Sequence, residues 1–153
     1  MALQEADRLV IFGITGDLAK KMTLPSLYRL ERRGMLNVPV ITVAFDNWTH
    51  EQLINHARES IESVEGKIDE TVFTRLAERL SYVHGDFNDP KLYGKLKKAL
   101  KGSHAATFYL EVPPSLFVIV AQHLYNADLL HGDARVVFEK PFGTSYDTAV
   151  DLN

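Results

Sequence analysis

The chain contains no cysteine, which excludes disulfides, zinc–thiolate centres and a thiol nucleophile together. It has no apolar stretch long enough to span a bilayer, and the segment Met1 to Arg8 is too polar for a secretory leader. A cytoplasmic location, with no membrane partner, is the expectation. Excess charge of one sign is also lacking: the formal net charge is −3, which gives no reason to expect nucleic acid. The histidines are scattered, without His-Glu-x-x-His or any other ligand spacing, so no metal site is expected. A P-loop is excluded because the residue five after Gly13 is Leu18 and no Gly-Lys-Ser/Thr follows. No repeat, low-complexity segment or internal linker breaks the chain. What remains is an ordinary globular composition of 153 residues, 46% apolar and 24% charged, enough for one domain with a real core.

Apolar, β-branched runs mark strands at Leu9–Phe12, Val40–Ala44, Leu80–His84, Ala106–Leu110 and Arg135–Glu139, several of them continuous, as expected for strands buried on both faces of a parallel sheet. Segments of helical period lie between them. Asp17–Arg33 ends at Gly34, and Pro25 within it implies a kink or a separate first turn. Thr49–Val64 opens with a Thr-x-x-Gln capping box. Asp69–Arg79 follows, then Pro90–Leu100 with Asp89 as its cap, and Pro114–Leu130 before Gly132. Thr144 to Asn153 reads as the start of a capped helix that stops without a terminating signal, and a chain cut from something longer is the expectation. The order βαβααβαβαβα predicts an α/β fold of Rossmann type, a right-handed, doubly wound parallel sheet.

In such a fold the turn after the first strand is the place to look for chemistry. Leu9 to Lys21 passes from an apolar run through Gly13 and Gly16 into a helix start, so backbone N–H groups can approach a pyrophosphate at the positive end of a helix dipole. The spacing is Gly-x-x-Gly-x-x-Ala, with Ala19 where close helix–strand packing needs a small residue and Asp17 placed to cap the helix. A tight βα turn uses glycine for positive φ with or without a ligand. Phe45 and Asp46 end the second strand, where a carboxylate accepts from a ribose 2′-hydroxyl and an arginine would neutralise a 2′-phosphate. These two residues predict a bias toward NAD, or a plain turn into the next helix. Asp86 and Phe87 follow strand three at the adenine border, or form a capped turn before Pro90. Pro113 and Pro114 stiffen the loop after strand four. Lys140, beside Glu139 at the end of strand five, points into the ligand crevice or joins an exposed ion pair.

Three segments together resemble glucose-6-phosphate dehydrogenase: Phe12-Gly13-x-x-Gly16-Asp17-Leu18-Ala19-Lys20-Lys21, Tyr109-Leu110-x-x-Pro113-Pro114-Ser115, and Glu139-Lys140-Pro141-Phe142-Gly143. The last is the most specific, and the resemblance to the coenzyme domain covers essentially the whole chain. It implies residues 1–153 as one dinucleotide-binding domain of a larger two-domain enzyme. The implied reaction is NADP-dependent oxidation of glucose 6-phosphate to 6-phosphogluconolactone, in the pentose phosphate pathway and in a homo-oligomeric parent. It further implies that Gly13, Thr15, Gly16, Asp17 and Leu18 hold the pyrophosphate and that Asp86 and Phe87 flank the adenosine. Pro113 and Pro114 would line the nicotinamide side, and Lys140, before a cis-Pro141 hinge, would touch coenzyme and sugar phosphate.

Three positions depart from that family's pattern. Phe45-Asp46 stands where an Arg followed by Ser is usual, which removes the 2′-phosphate clamp and leaves NAD as the alternative coenzyme. Met22 replaces a basic residue, and Glu111 a usual alanine. No Arg-Ile-Asp-His-Tyr-Leu-Gly-Lys type block carrying the general base occurs before Asn153, so the base is expected beyond Asn153 and the isolated chain is expected to be inactive. The competing readings are a non-catalytic dinucleotide-sensing module and a degenerate fragment that binds nothing.

Overall fold

The computed structural model describes residues 6–138 and the backbone pair Ala149–Val150. Its strands are β1 (Arg8–Phe12), β2 (Val40–Ala44), β3 (Leu80–His84), β4 (Ala106–Leu110), β5 (Arg135–Phe138) and β6 (Ala149–Val150). They lie in the order β3-β2-β1-β4-β5-β6. β1 to β5 pair in parallel and β6 is antiparallel to β5. The order reverses between β1 and β4, so the sheet has its switch point at the end of the glycine-bearing strand.

The two faces of the sheet sort the apolar residues by strand alternation. Leu9 and Ile11 of β1 pack with α1 (Leu24–Arg32), α2 (His50–Glu65) and α3 (Glu70–Arg79), through Leu27, Leu53, Ile61 and Leu76. Val10 and Phe12 face the other way, with Phe108 and Leu110 of β4, onto α4 (Pro90–Ala99) and α5 (Phe117–Asn126). Burial of such side chains, about 1.5–3 kcal/mol each, is what holds helices of this length. Between α1 and α3 a charge is buried too. Glu31 is 3% exposed, with Arg79 Nε at 2.5 Å and Arg75 Nε at 3.6 Å.

The caps form where the side chains call for them. Thr49 Oγ1 accepts from the Gln52 amide at 3.1 Å while Gln52 Oε1 accepts from the Thr49 amide at 2.8 Å, a complete capping box. Asp69 and Asp89 cap α3 and α4.

Three helical expectations are corrected. The segment after the glycine turn is not one α-helix. Ala19–Thr23 is a π-helical turn, closed by the Leu24 amide on the Ala19 carbonyl, and α1 starts anew at Leu24 with Pro25 in its first turn. A proline ring clashes with the carbonyl four residues back and donates no hydrogen bond, and the wider turn relieves that conflict. Asp17 and Leu18 are already helical, so Asp17 stands exposed in the first turn rather than capping it. The helix after β4 is shorter than expected and begins as the 3₁₀ turn Pro114–Leu116. It stops at Asn126 because Asp128 takes φ 60°. The Leu129 amide then reaches the Leu124 carbonyl at 2.9 Å and the Asp128 amide the Tyr125 carbonyl at 3.0 Å, a Schellman closure around aspartate instead of the distant Gly132. Within Thr144–Asn153, Ala149–Val150 is a strand and not helix. It pairs with Val136 and Val137 on what would otherwise be an open parallel edge. The remainder of that segment, with Glu139, Lys140, Pro141, Phe142 and Gly143, lies outside the described residues.

Candidate functional site

Four strand exits are laced into one rim by backbone hydrogen bonds. The Gly85 amide donates to Ala44 O at 3.0 Å, the Gly13 amide to Val43 O at 2.8 Å and the Glu111 amide to Phe12 O at 2.9 Å. β3, β2, β1 and β4 therefore present their loops side by side at the carboxyl edge, the usual ligand edge of an open α/β sheet.

The glycine turn occupies the middle of that rim. Gly13 has φ 93°, and a Cβ there would stand 2.1 Å from the Glu111 carbonyl oxygen. Glycine is thus demanded by both conformation and space. The Gly16 amide closes the turn on Gly13 O at 3.0 Å. A Cβ at Gly16 would meet only that same oxygen, at 3.4 Å. The turn is locked to β4 on one side and open over Gly16 on the other. Leu18, Lys20 and Lys21 are exposed beside it, and the two lysines bring positive charge to that side of the turn.

Thr15 reaches across to the second strand. Its Oγ1 donates to Asp46 Oδ1 at 2.9 Å, joining the glycine turn to the loop after β2. The Asp46 carbonyl accepts from the Trp48 amide at 2.9 Å and from the Tyr82 hydroxyl. Phe45, 67% exposed, stands next to it. The Asp46 segment does turn toward α2, and its carboxylate is also directed onto the glycine turn. Behind these residues the Trp48 ring packs on Tyr82 at 6.1 Å and on His56 at 4.8 Å. Burial pushes the His56 imidazole below its ordinary range, with Lys20 acting in the same sense and the Ile14 carbonyl opposing both.

At the end of β3 the geometry is that of a capped turn. Asp86 Oδ1 accepts from the Asn88 amide at 2.9 Å. Phe87 rests edge-on against Phe12 at 5.5 Å, and its carbonyl accepts from the Tyr93 hydroxyl at 2.8 Å. The ring of Phe87 is therefore engaged in packing, while Asp86 stays exposed on the rim. Pro113 and Pro114 are exposed after β4 and start the 3₁₀ turn, the Leu116 amide donating to Pro113 O at 2.8 Å. Glu111 accepts from the Thr23 hydroxyl. The two border a cavity of about 270 Å³ between β1, β4 and α1, with Met22 and Leu18 at its wall. Thr15, Asp46 and the loops of β3 and β4 thus share one rim with the glycine turn; Lys140 lies outside the described residues. The roles of Tyr82, Trp48 and Thr23 carry no signal in the sequence. Tyr82 and Thr23 act on Asp46 and Glu111, 36 and 88 residues away, and Trp48 acts through ring packing on Tyr82 and His56. Among the described residues no group of three or more His, Asp or Glu is placed to hold a metal ion, and no helix is long and apolar enough to cross a membrane.

Comparison with known proteins shows the family of the chain. Residues 10–153 match the family model described as "Glucose-6-phosphate dehydrogenase, NAD binding domain". Glucose-6-phosphate 1-dehydrogenase 1 of Mycobacterium bovis is 51% identical over 148 residues, covering 97% of this chain and 31% of that protein. The crystal structure of glucose-6-phosphate 1-dehydrogenase from Mycobacterium avium superposes with a TM-score of 0.85 at 53% identity, over 90% of this chain and 30% of the other. A structure described as glucose-6-phosphate dehydrogenase in complex with its substrate glucose-6-phosphate gives 0.76 at 32% identity, over 90% and 31%. The chain therefore spans about a third of the length of the relatives it matches. With its glycine turn, switch point and rim in place, the chain belongs to the glucose-6-phosphate dehydrogenase family, in the part that family's NAD-binding domain describes.

Proposed function

We propose that this chain is the coenzyme-binding domain of an enzyme that oxidises glucose 6-phosphate to 6-phosphogluconolactone, and that it favours NAD over NADP. The Thr15–Asp46 hydrogen bond at 2.9 Å carries the coenzyme reading. It sets a carboxylate beside the phosphate turn, where a ribose 2′-hydroxyl is a donor and a 2′-phosphate an anion. The turn itself fits a dinucleotide: it is closed against β4 and open over Gly16, with lysines at its flank. In this reading the amides of the Gly13–Leu18 turn hold the diphosphate. Asp46 takes the ribose hydroxyl and Phe45 offers an exposed ring to the adenine. Asp86 and Phe87 border that base, while Pro113 and Pro114 shape the far side. A dinucleotide held by these residues would supply the hydride acceptor for oxidation at the anomeric carbon of the sugar, the hydroxyl proton going to a base outside this chain. Lys140 is proposed for the sugar phosphate, after the resemblance of Glu139-Lys140-Pro141-Phe142-Gly143 to the family's block.

The test is a pair of titrations, NAD and NADP, against the wild-type chain and Asp46→Arg. Wild type is expected to bind NAD more tightly by about tenfold, which corresponds to about 1.4 kcal/mol. Asp46→Arg is expected to reverse the order. Equal preference in both proteins would show that Asp46 does not meet the ribose. The chain alone is expected to bind coenzyme without turning over glucose 6-phosphate, and steady reduction of coenzyme by the purified chain would refute that part.

A further inference from the structure

We propose that Tyr82 is a positioning residue for coenzyme discrimination: its hydroxyl holds the Asp46 peptide while Thr15 holds the Asp46 carboxylate, so that the acid keeps one orientation at the ribose position. The inference rests on the reading of Asp46 given above and adds a residue on a different strand.

Asp46 is exposed in the loop after β2, and an exposed aspartate without restraints samples several rotamers. Here three bonds converge on it. Oδ1 accepts from Thr15, and the carbonyl oxygen accepts from both the Trp48 amide and the Tyr82 hydroxyl. The Tyr82 side is rigid. The residue lies in β3, paired with Thr42 of β2, and the Thr42 hydroxyl donates to the neighbouring Ser81 carbonyl at 2.6 Å. The phenol ring stacks on Trp48 at 26°, and Trp48 in turn packs on His56 of α2. The loop carrying Asp46 is therefore fastened to the sheet through Tyr82, to α2 through Trp48, and to the phosphate turn through Thr15.

The phenol suits this task chemically. Burial, then the negative charge of Asp46, pushes its pKa up to about 12, so it stays a neutral donor at any working pH. A fixed carboxylate accepts a ribose hydroxyl at little ordering cost and keeps its charge against a 2′-phosphate, which brings about −1.5 to −2. A carboxylate free to swing away gives up part of both effects.

The experiment is a double-mutant cycle on the 153-residue chain with Tyr82→Phe, Asp46→Ala and the pair, read by calorimetric titration with NAD and NADP. Tyr82→Phe keeps the stacked ring, and its thermal midpoint without coenzyme is measured to show that the fold is kept. The expected result is that NAD affinity falls about fivefold, the scale of one hydrogen bond, while NADP affinity holds or rises, so the preference ratio narrows. In the Asp46→Ala background Tyr82→Phe is expected to change neither coenzyme. Equal weakening of both coenzymes, an unchanged ratio, or an effect that persists without the Asp46 carboxylate would overturn the role of Tyr82 while leaving that of Asp46 intact. If wild type does not favour NAD, or Asp46→Ala leaves the ratio where it was, the Asp46 reading fails and the role of Tyr82 falls with it.

Discussion

Gly13→Ala separates a turn locked by its neighbours from one that merely contains a glycine. At φ 93° an alanine carries the left-handed penalty of about 1–2 kcal/mol. Its Cβ would also lie 2.1 Å from the Glu111 carbonyl oxygen, whereas 3.4 Å is the lower end of ordinary contact. Backbone, not a flexible side chain, must therefore move by more than an ångström. That movement strains the Gly13 amide bond to Val43 O and the Glu111 amide bond to Phe12 O, each contributing about 0.5–1.5 kcal/mol. The total loss is about 2–5 kcal/mol, a large share of the roughly 5–15 kcal/mol that holds a domain together. The assay is urea unfolding followed through Trp48, the sole tryptophan, alongside NAD titration. Gly16→Ala is the control. Its φ is not positive and its added methyl group meets one atom at ordinary distance, so stability is expected to hold within about 0.5 kcal/mol while coenzyme affinity falls. A Gly13→Ala chain as stable as wild type would refute the argument that β1 and β4 are closed against each other at this point.

Two further perturbations probe the scaffold away from the rim. Arg79→Met leaves the buried Glu31 carboxylate with only the more distant Arg75. A loss of about 2–4 kcal/mol is expected, below the full cost of stripping a buried charge because Arg79 is itself partly exposed, and urea midpoints measure it. Asp7→Asn tests the join between β1 and β4. Burial works against the Asp7 charge, but the Ser103 hydroxyl and the His104 and Ala105 amides outweigh it and hold the carboxyl below its ordinary range. A depressed folded pKa stabilises fully above the unfolded value, about 3.9, and that contribution is lost as pH falls through the folded value. Asp7→Asn is therefore expected to be less stable at neutral pH and to show a shallower acid limb in denaturation series run from about pH 6 down to pH 2. Parallel acid limbs in the two proteins would refute the linkage.

How far the fold could be read from the residues follows from the range of the interactions involved. β2 and β4 stand where apolar runs place them, because a strand buried on both faces needs such a run and little else, while the edge strand β3 (Leu80–His84) is only partly buried. Thr49, Asp69 and Asp89 cap their helices because a cap is settled within three or four residues. The misjudged ends are those where two local rules compete. Asp128 takes the left-handed position that closes this helix ahead of Gly132, since the Schellman closure is set by where Leu124 and Leu129 both bury. Pro25 was recognisable as a break, but its resolution into a π-turn depends on keeping Ala19 packed under the sheet edge while α1 starts afresh.

The site divides along the same line. The glycine turn is legible because its constraint is carried by the glycines themselves, although its cause, the Glu111 carbonyl, lies just past the end of another strand. Asp46 is legible as a carboxylate at the end of β2 but not as an oriented one. Its orientation comes from Thr15 and Tyr82, 31 and 36 residues away, and no period or motif links three such positions. Only the parallel register of β1, β2 and β3 brings them together, because it carries the ends of these strands to the same edge. If discrimination between coenzymes depends on how firmly that carboxylate is held, it is a property of the sheet as much as of the loop. A change on β3 that leaves Asp46 in place then alters the choice of coenzyme.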